Sequence, residues 1–248
     1  MSDKVNPLFQ RLALLTGAQV LKKLERTNIL IVGVGGVGSW CAEALVRSGV
    51  GKIGIVDFDI VCASNVNRQL PATSQTLGRA KVEVLKQRLL EINPHCEVTT
   101  WEKVFSRESA AEFNIEKMDY VIDAIDSLDH KLDLIETSCA ARVKLFSSMG
   151  MALRMDPTRI KTASIWKTHS CPLAQKVRER LRKRGFSGDF TAVYSDEHLE
   201  QHNEIKCEES HNGKKANGSV VTVTASAGMV LASLVLRDIM DTNGVTNE

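Results

Sequence analysis

Apolar and polar positions fall into blocks whose lengths and periods predict the elements. Residues 28–34 (NILIVGV) form a continuous apolar run, as expected of a buried strand. A glycine cluster follows, then a helical stretch over about 39–48. Residues 52–56 (KIGIV) predict a second strand, and 58–78 are polar and irregular. A helix is predicted over 79–92, because Val82, Leu85, Leu89 and Ile92 recur every three or four positions and Pro94 stops it. Residues 98–104 make a weaker strand, 120–125 (YVIDAI) a stronger one, and 143–149 (VKLFSSM) another. This alternation predicts an α/β fold of βαβ units around a mainly parallel sheet, with helices on both faces.

Near residue 150 the texture changes. Residues 159–166 (RIKTASIW) alternate like a strand with one wet face, 175–184 form a basic helix, and 195–218 are polar and loop-like. The chain divides into 1–150 and 151–248, read as parts of one continuous domain. Residues 219–236 carry no charge over eighteen positions, the lower edge of a membrane span. Thr222, Thr224, Ser226, Gly228 and Ser233 interrupt that run, and Lys214 and Arg237 bracket it. The pattern therefore predicts a buried strand and helix, with no stable membrane insertion and membrane association as the lesser alternative.

Composition narrows the class. Of 248 residues, 43% are hydrophobic and 25% charged, ordinary globular values that exclude a disordered, fibrous or polytopic membrane chain. Thirty-two cations against thirty acids give a net charge of +2, which excludes a uniformly basic coat but not a local patch. The six cysteines contain no CxxC pair, which argues against a paired-knuckle zinc site and a disulfide scaffold. The N-terminal stretch lacks the apolar run of a signal peptide. These features predict a reducing, cytoplasmic setting.

The candidate chemistry begins at Gly33-Val34-Gly35-Gly36-Val37-Gly38, a GxGxxG between a predicted strand and a predicted helix. Glycines there allow a tight turn and close backbone approach to phosphate, and the helix N-terminus supplies amide donors. Asp57, nineteen residues beyond Gly38 at the end of the next strand, stands where a carboxylate holds ribose hydroxyls. A Rossmann-like nucleotide site follows. Arg68 and Lys81 favour a triphosphate over a dinucleotide, because a triphosphate carries more charge to neutralise. Lys81 near a helix start opposes the helix dipole, a broken local rule of the kind found at functional sites. Asp126 lies just past a strand end, where a carboxylate can hold Mg²⁺ against phosphates, whereas Asp129 reads as a helix cap. In 175–184, Lys176, Arg178, Arg180, Arg182, Lys183 and Arg184 stand against Glu179, a local charge of +5 and a candidate RNA-phosphate footprint. Acids within 196–209 offer that helix an alternative partner. His169, His198, His202 and His211 show no ligand spacing.

Together, GVGGVG, DFDIVCASNVNRQ, GRAKVE and DAIDS resemble the ATP-binding core of the E1-like, ThiF/MoeB-type adenylating enzymes, over about residues 10–150. In the second half, 167–174 (KTHSCPLA), 193–197 (VYSDE) and 218–220 (GSV) resemble the tRNA threonylcarbamoyladenosine dehydratase branch. The resemblance implies an ATP-binding adenylation core over 1–150 and a substrate and dimer region over 151–248 that extends the sheet. It implies that Gly33, Gly35, Gly36, Gly38, Asp57, Asp59, Asn65, Arg68, Gln69, Lys81, Asp126 and Ser127 bind the nucleotide. Asp126, Arg68, Lys81 and Arg11 would serve catalysis, Asp126 through Mg²⁺ and Arg11 from the partner subunit of a homodimer. It also implies the anticodon loop of tRNA as substrate, a monovalent cation, and a cysteine desulfurase or sulfur-acceptor system as a partner class.

The implied reaction is adenylation of the threonyl carboxylate of the modified adenosine, then cyclising loss of water, with release of AMP and pyrophosphate. It requires no covalent nucleophile. Cys41 and Cys62 read as small buried hydrophobes, and Cys207 sits among acids that discourage a thiolate. Cys171 stands where the branch more often has Asp. The alternative is activation of the C-terminus of a ubiquitin-like sulfur carrier. An NAD-dependent oxidoreductase and a non-catalytic RNA-binding module are weaker rivals.

Overall fold

The computed structural model describes residues 5–198 and 217–242. Its strands are β1 (Asn28–Val32), β2 (Lys52–Val56), β3 (Glu97–Trp101), β4 (Tyr120–Asp123), β5 (Lys144–Ser148), β6 (Ile160–Ser164) and β7 (Thr191–Ser195). They form one sheet in the order β3-β2-β1-β4-β5-β7-β6. Every neighbouring pair is parallel except β6 with β7. The helices are α1 (Gln10–Thr16), α2 (Ala18–Arg26), α3 (Gly38–Arg47), α4 (Lys81–Ile92), α5 (Leu128–Ala140), α6 (Pro172–Lys183) and α7 (Val221–Asp241).

Strand periodicity sorts the core into two faces. Ile29, Ile31, Ile53, Ile55 and Ile122 face a cluster filled by α2, α3, α4 and α7. Leu30, Val32, Val56, Val121 and Leu145 face the other, filled by α5 and α6. A continuous apolar run such as 28–32 is thus the mark of a strand covered on both sides. β5 pairs with β7, and β6 then closes the edge, so the second half extends the same sheet.

Several elements differ from the sequence expectation. Residues 219–236 contain no strand: α7 is one helix of 21 residues. Its β-branched start (VTVT) favours a strand locally, but packing on α3 overrides that propensity. Gly228 makes the contact possible, because a Cβ there would lie 2.5 Å from the Val37 carbonyl oxygen. α7 is long and apolar enough to cross a membrane by length and composition, yet Val223, Ala227, Leu231 and Val235 are spent on the core. β7 arises from TAVYS, five residues whose burial becomes evident only between β5 and β6. α1 and α2 were not marked by the pattern. α4 starts at Lys81 rather than 79, because Ala80 bridges Ile60 and the Arg79 carbonyl accepts from Val61 N–H. α6 starts at Pro172, well placed at a helix start because its missing N–H costs nothing there.

Candidate active site

The carboxyl ends of β1, β2 and β4 meet at one rim. Gly33 leaves β1 with φ 89°, and a Cβ there would sit 2.7 Å from the Ala124 carbonyl oxygen. At Gly38 a Cβ would come within 1.9 Å of the Gly33 carbonyl oxygen. Both positions require glycine because backbone lies where a side chain would go. Gly36 is wedged between Arg68 and Thr224 of α7, and Gly35 stays open, with the Gln69 amide as its nearest neighbour. The turn thus exposes backbone at the N-terminus of α3, where amides and the helix dipole favour an anion.

Around this cradle each acid is held differently. At the end of β2, Asp57 accepts from Val34 N–H at 2.8 Å and from Asp59 N–H at 2.9 Å. Burial pushes the Asp57 carboxyl above its ordinary pKa, and the Lys81 charge and the two amides pull against that rise. Lys81, only 4% exposed, pairs with Asp59 at 2.7 Å. That pair answers the dipole conflict at the start of α4. Arg68 donates to the Ser64 carbonyl and to Asn67 Oδ1, and its own carbonyl accepts from Trp40 Nε1. Burial lowers the Arg68 pKa, and the Asp126 charge offsets part of that drop.

Not every expected residue keeps its expected freedom. Asn65 Oδ1 is taken by Cys62 N–H at 3.1 Å, which leaves only its amide N–H₂ for a phosphate. Cys62 is partly exposed rather than buried, because it opens the short 3₁₀ turn at Ala63–Asn65. Ser127, not Asp129, is the N-cap position of α5, and Asp129 lies inside the first turn. Gln69 is buried, and its Oε1 finds no hydrogen-bond partner among the described residues. A ligand donor at the cradle would satisfy it.

Asp126 is exposed and makes no hydrogen bond or ion pair among the described residues. No group of three or more metal-ligating side chains occurs there either. One free carboxylate beside a phosphate cradle fits Mg²⁺ carried largely by the phosphates, and does not fit an all-protein cage.

Two expected contributors lie outside this cluster. Arg11 is exposed on α1, two residues from Phe9, which packs against Gly49 beyond the C-terminus of α3. The glycine cradle is at the other end of α3, roughly 15 Å along a ten-residue helix. The α6 cations belong to the opposite face of the sheet. They divide: Arg184 pairs with Asp133 and Glu136, Arg178 donates to Thr168, and Arg182 stacks on Trp166. Lys176, Arg180 and Lys183 are exposed and show no ion pair among the described residues. Of the acids expected to compete for α6, Asp196 pairs with Arg159 and Lys161, and Glu197 caps the 155–156 backbone. The rest of that acidic run, with Cys207, His202 and His211, lies outside the described residues. His169 contacts Ser170 and meets Tyr194 edge-on.

Sequence reasoning missed one cluster. Asp123 and Lys131 form a fully buried ion pair of 2.7 Å, joined by Ser147. The available signal was a lysine on the apolar face of α5, in register with Leu128, Leu132 and Ile135.

Burial pushes the Cys41 thiol pKa far up, and those of Cys96 and Cys139 to about 11.

The ThiF family model matches residues 9–247. The chain is 38% identical over 239 residues to the tRNA threonylcarbamoyladenosine dehydratase of Bacillus subtilis, covering 94% of both chains. It is 38% identical over 233 residues to that of Haemophilus influenzae, covering 89% of this chain and 88% of the relative. It superposes on the crystal structure of Escherichia coli tRNA N6-threonylcarbamoyladenosine dehydratase in complex with ATP, with a TM-score of 0.86, 34% identity and 99% of each chain covered.

Proposed function

The chain belongs to the ThiF family, and from that premise we propose that it catalyses ATP-dependent cyclising dehydration of N6-threonylcarbamoyladenosine in tRNA. One observation carries the reading: 99% of both chains superpose between this protein and an ATP-bound enzyme of that name. The full-length relatives are dehydratases, so activation of a sulfur-carrier protein is not favoured.

A carboxylate is a poor electrophile, because its leaving group would be oxide. Adenylation replaces that leaving group with AMP. A carboxylate oxygen attacks the α-phosphorus of ATP, and the bond to pyrophosphate breaks. The modified side chain then closes on its own activated carbonyl, a proton leaves, and AMP departs. The protein must align the two reactants and neutralise developing charge.

Its residues divide that work. The amides of 33–38 and the N-terminus of α3 cradle phosphate, and Asp57 holds the ribose. Asn65, Arg68 and Lys81 receive phosphate oxygens, and Gln69 and Ser127 line the cradle. Lys81 reaches phosphate while tethered to Asp59, so its position is set before ATP arrives. Asp126 would hold Mg²⁺, which supplies charge neutralisation at the phosphates. A monovalent cation stays an expectation of the resemblance, and no step is assigned to it. No step runs through a cysteine, and a cysteine desulfurase or sulfur-acceptor partner would act outside this cycle.

Residues 1–150 then carry adenylation, and 151–248 complete the tRNA site and the dimer. The free cations Lys176, Arg180 and Lys183 meet the tRNA backbone. Arg11 acts on the partner subunit of a homodimer. Its own cradle is at the far end of α3, and Leu14 and Leu15 beside it are 78% and 77% exposed. A cytoplasmic location goes with the substrate.

The test is nucleoside mass spectrometry of threonylcarbamoylated tRNA after incubation with protein, ATP and Mg²⁺. Loss of one water, absent in Asp126→Ala, supports the reading. ATP cleavage to AMP only with a Gly-Gly-tailed carrier protein would replace it.

A further inference from the structure

Below the cradle, Asp123 ends β4 and Lys131 stands on the second turn of α5, and both are 0% exposed. Lys131 Nζ lies 2.7 Å from Asp123 Oδ2 and 3.0 Å from the Ser148 carbonyl oxygen. Ser147 Oγ donates to the same Asp123 oxygen at 2.5 Å. The second carboxylate oxygen, Oδ1, accepts from Ile125 N–H at 3.0 Å. One side chain therefore ties β5, α5 and the backbone immediately before Asp126. The same turn carries the Ala124 carbonyl, which fills the space where Gly33 lacks a Cβ.

An ion pair buried this deeply is poor value for stability, since a well-packed apolar pair serves as well or better. Its geometry offers something an apolar pair cannot. An aspartate of fixed rotamer presents one oxygen to Ile125 N–H, so it sets the direction in which the 124–126 turn leaves the strand. Asp126 itself makes no hydrogen bond or ion pair among the described residues and meets Arg68 only as a longer-range charge, so its placement relative to the cradle depends chiefly on that turn.

We infer that Asp123 and Lys131 are a positioning pair that aims Asp126 at the nucleotide through the Asp123–Ile125 hydrogen bond. The inference deepens the adenylating function proposed above and rests on it. Neither residue touches ATP. Their loss should slow adenylate formation while ATP binding at the glycine cradle stays intact.

The experiment compares two folded, charge-free replacements. Asp123→Leu/Lys131→Met removes the acceptor and both charges at nearly constant volume. Asp123→Asn/Lys131→Met removes the charges but keeps an oxygen for Ile125 N–H. Two readouts are taken on each: amide hydrogen exchange at Ile125, and single-turnover AMP formation on threonylcarbamoylated tRNA across ATP concentrations. For the Leu/Met protein we expect faster exchange at Ile125 and a turnover rate about 100-fold lower, with the ATP KM within threefold of wild type. The Asn/Met protein should regain slow exchange and at least tenfold of the rate. A Leu/Met protein that is folded and turns over at the wild-type rate overturns the inference. So does unchanged exchange at Ile125, or a rate that falls only in step with the folded fraction. Wild-type protein inactive on this tRNA would refute the function proposed above, and the exchange measurement would still decide whether the pair holds the turn.

Discussion

The cradle and helix α6 handle charge in opposite ways. Around the cradle, Asp57 is fixed by two backbone amides, Asp59 by Lys81 and Asp123 by Lys131. Among the described residues Asp126 makes no hydrogen bond or ion pair, and its charge acts on Arg68 from a longer range. On α6, half of the six cations are engaged with Asp133, Glu136, Thr168 or Trp166, and Lys176, Arg180 and Lys183 project outward. A transition state rewards groups already in place, since reorganising them at the moment of reaction raises the barrier. A polyanion with many equivalent phosphates rewards mobile, hydrated cations that can meet it in several registers. The difference teaches that charge count alone does not describe a charged cluster, because the groups around the cradle are mostly held in place whereas half of the α6 cations are not.

That contrast can be broken. The largest effect is expected for Asp126→Ala, with dehydration rates down about 10²–10³-fold by nucleoside mass spectrometry and melting temperature unchanged. Gly33→Ala should cost about 2 kcal/mol of stability in urea titration, because φ 89° and the Ala124 carbonyl both exclude a Cβ. Lys81→Ala should raise the ATP KM about tenfold, the equivalent of one charge-assisted hydrogen bond. It should also change the pH dependence. Burial already raises the Asp57 pKa, and Lys81 pulls it down. Removing Lys81 therefore raises it further, so the acid limb of ATP binding moves to higher pH. A limb that moves to lower pH, or stays put, would detach Asp57 from the site.

Smaller effects sharpen the other side. Alanine at Lys176, Arg180 and Lys183 together should weaken tRNA binding and lower the salt slope by about one unit per residue, with kcat at saturating tRNA preserved. Arg184→Ala should leave that slope unchanged and cost under about 1 kcal/mol of stability, since its charge is spent on Asp133 and Glu136. A full unit of slope from Arg184 would mean that the division of α6 into free and engaged cations is wrong.

Much of the fold could be read from one chain. A continuous apolar run marked β1, and short stretches rich in apolar residues marked β2, β4 and β5, because strands covered on both faces need little polar side. The four glycines and Asp57 were legible for a related reason. The need for glycine at Gly33 and Gly38 and the place of Asp57 at the end of β2 depend on local turn geometry and a spacing of about twenty residues, which a βαβ unit imposes by itself. Lys81 was legible as a conflict between its charge and the dipole of α4.

What stayed hidden depended on distant partners. The sequence alone determined which positions must be apolar, where backbone must turn without a Cβ, and which charged groups sit at strand ends. Only the tertiary structure decided that 221–241 is a helix seated on α3 through Gly228, that TAVYS becomes the strand between β5 and β6, and that Lys131 turns inward to Asp123. It also decided which α6 cations are free and that Arg11 lies away from its own cradle. The physical reason is common to all of these. Local propensity and turn chemistry act over a few residues, whereas burial and ion pairing are settled by whatever the fold brings alongside, and no spacing along the chain records that.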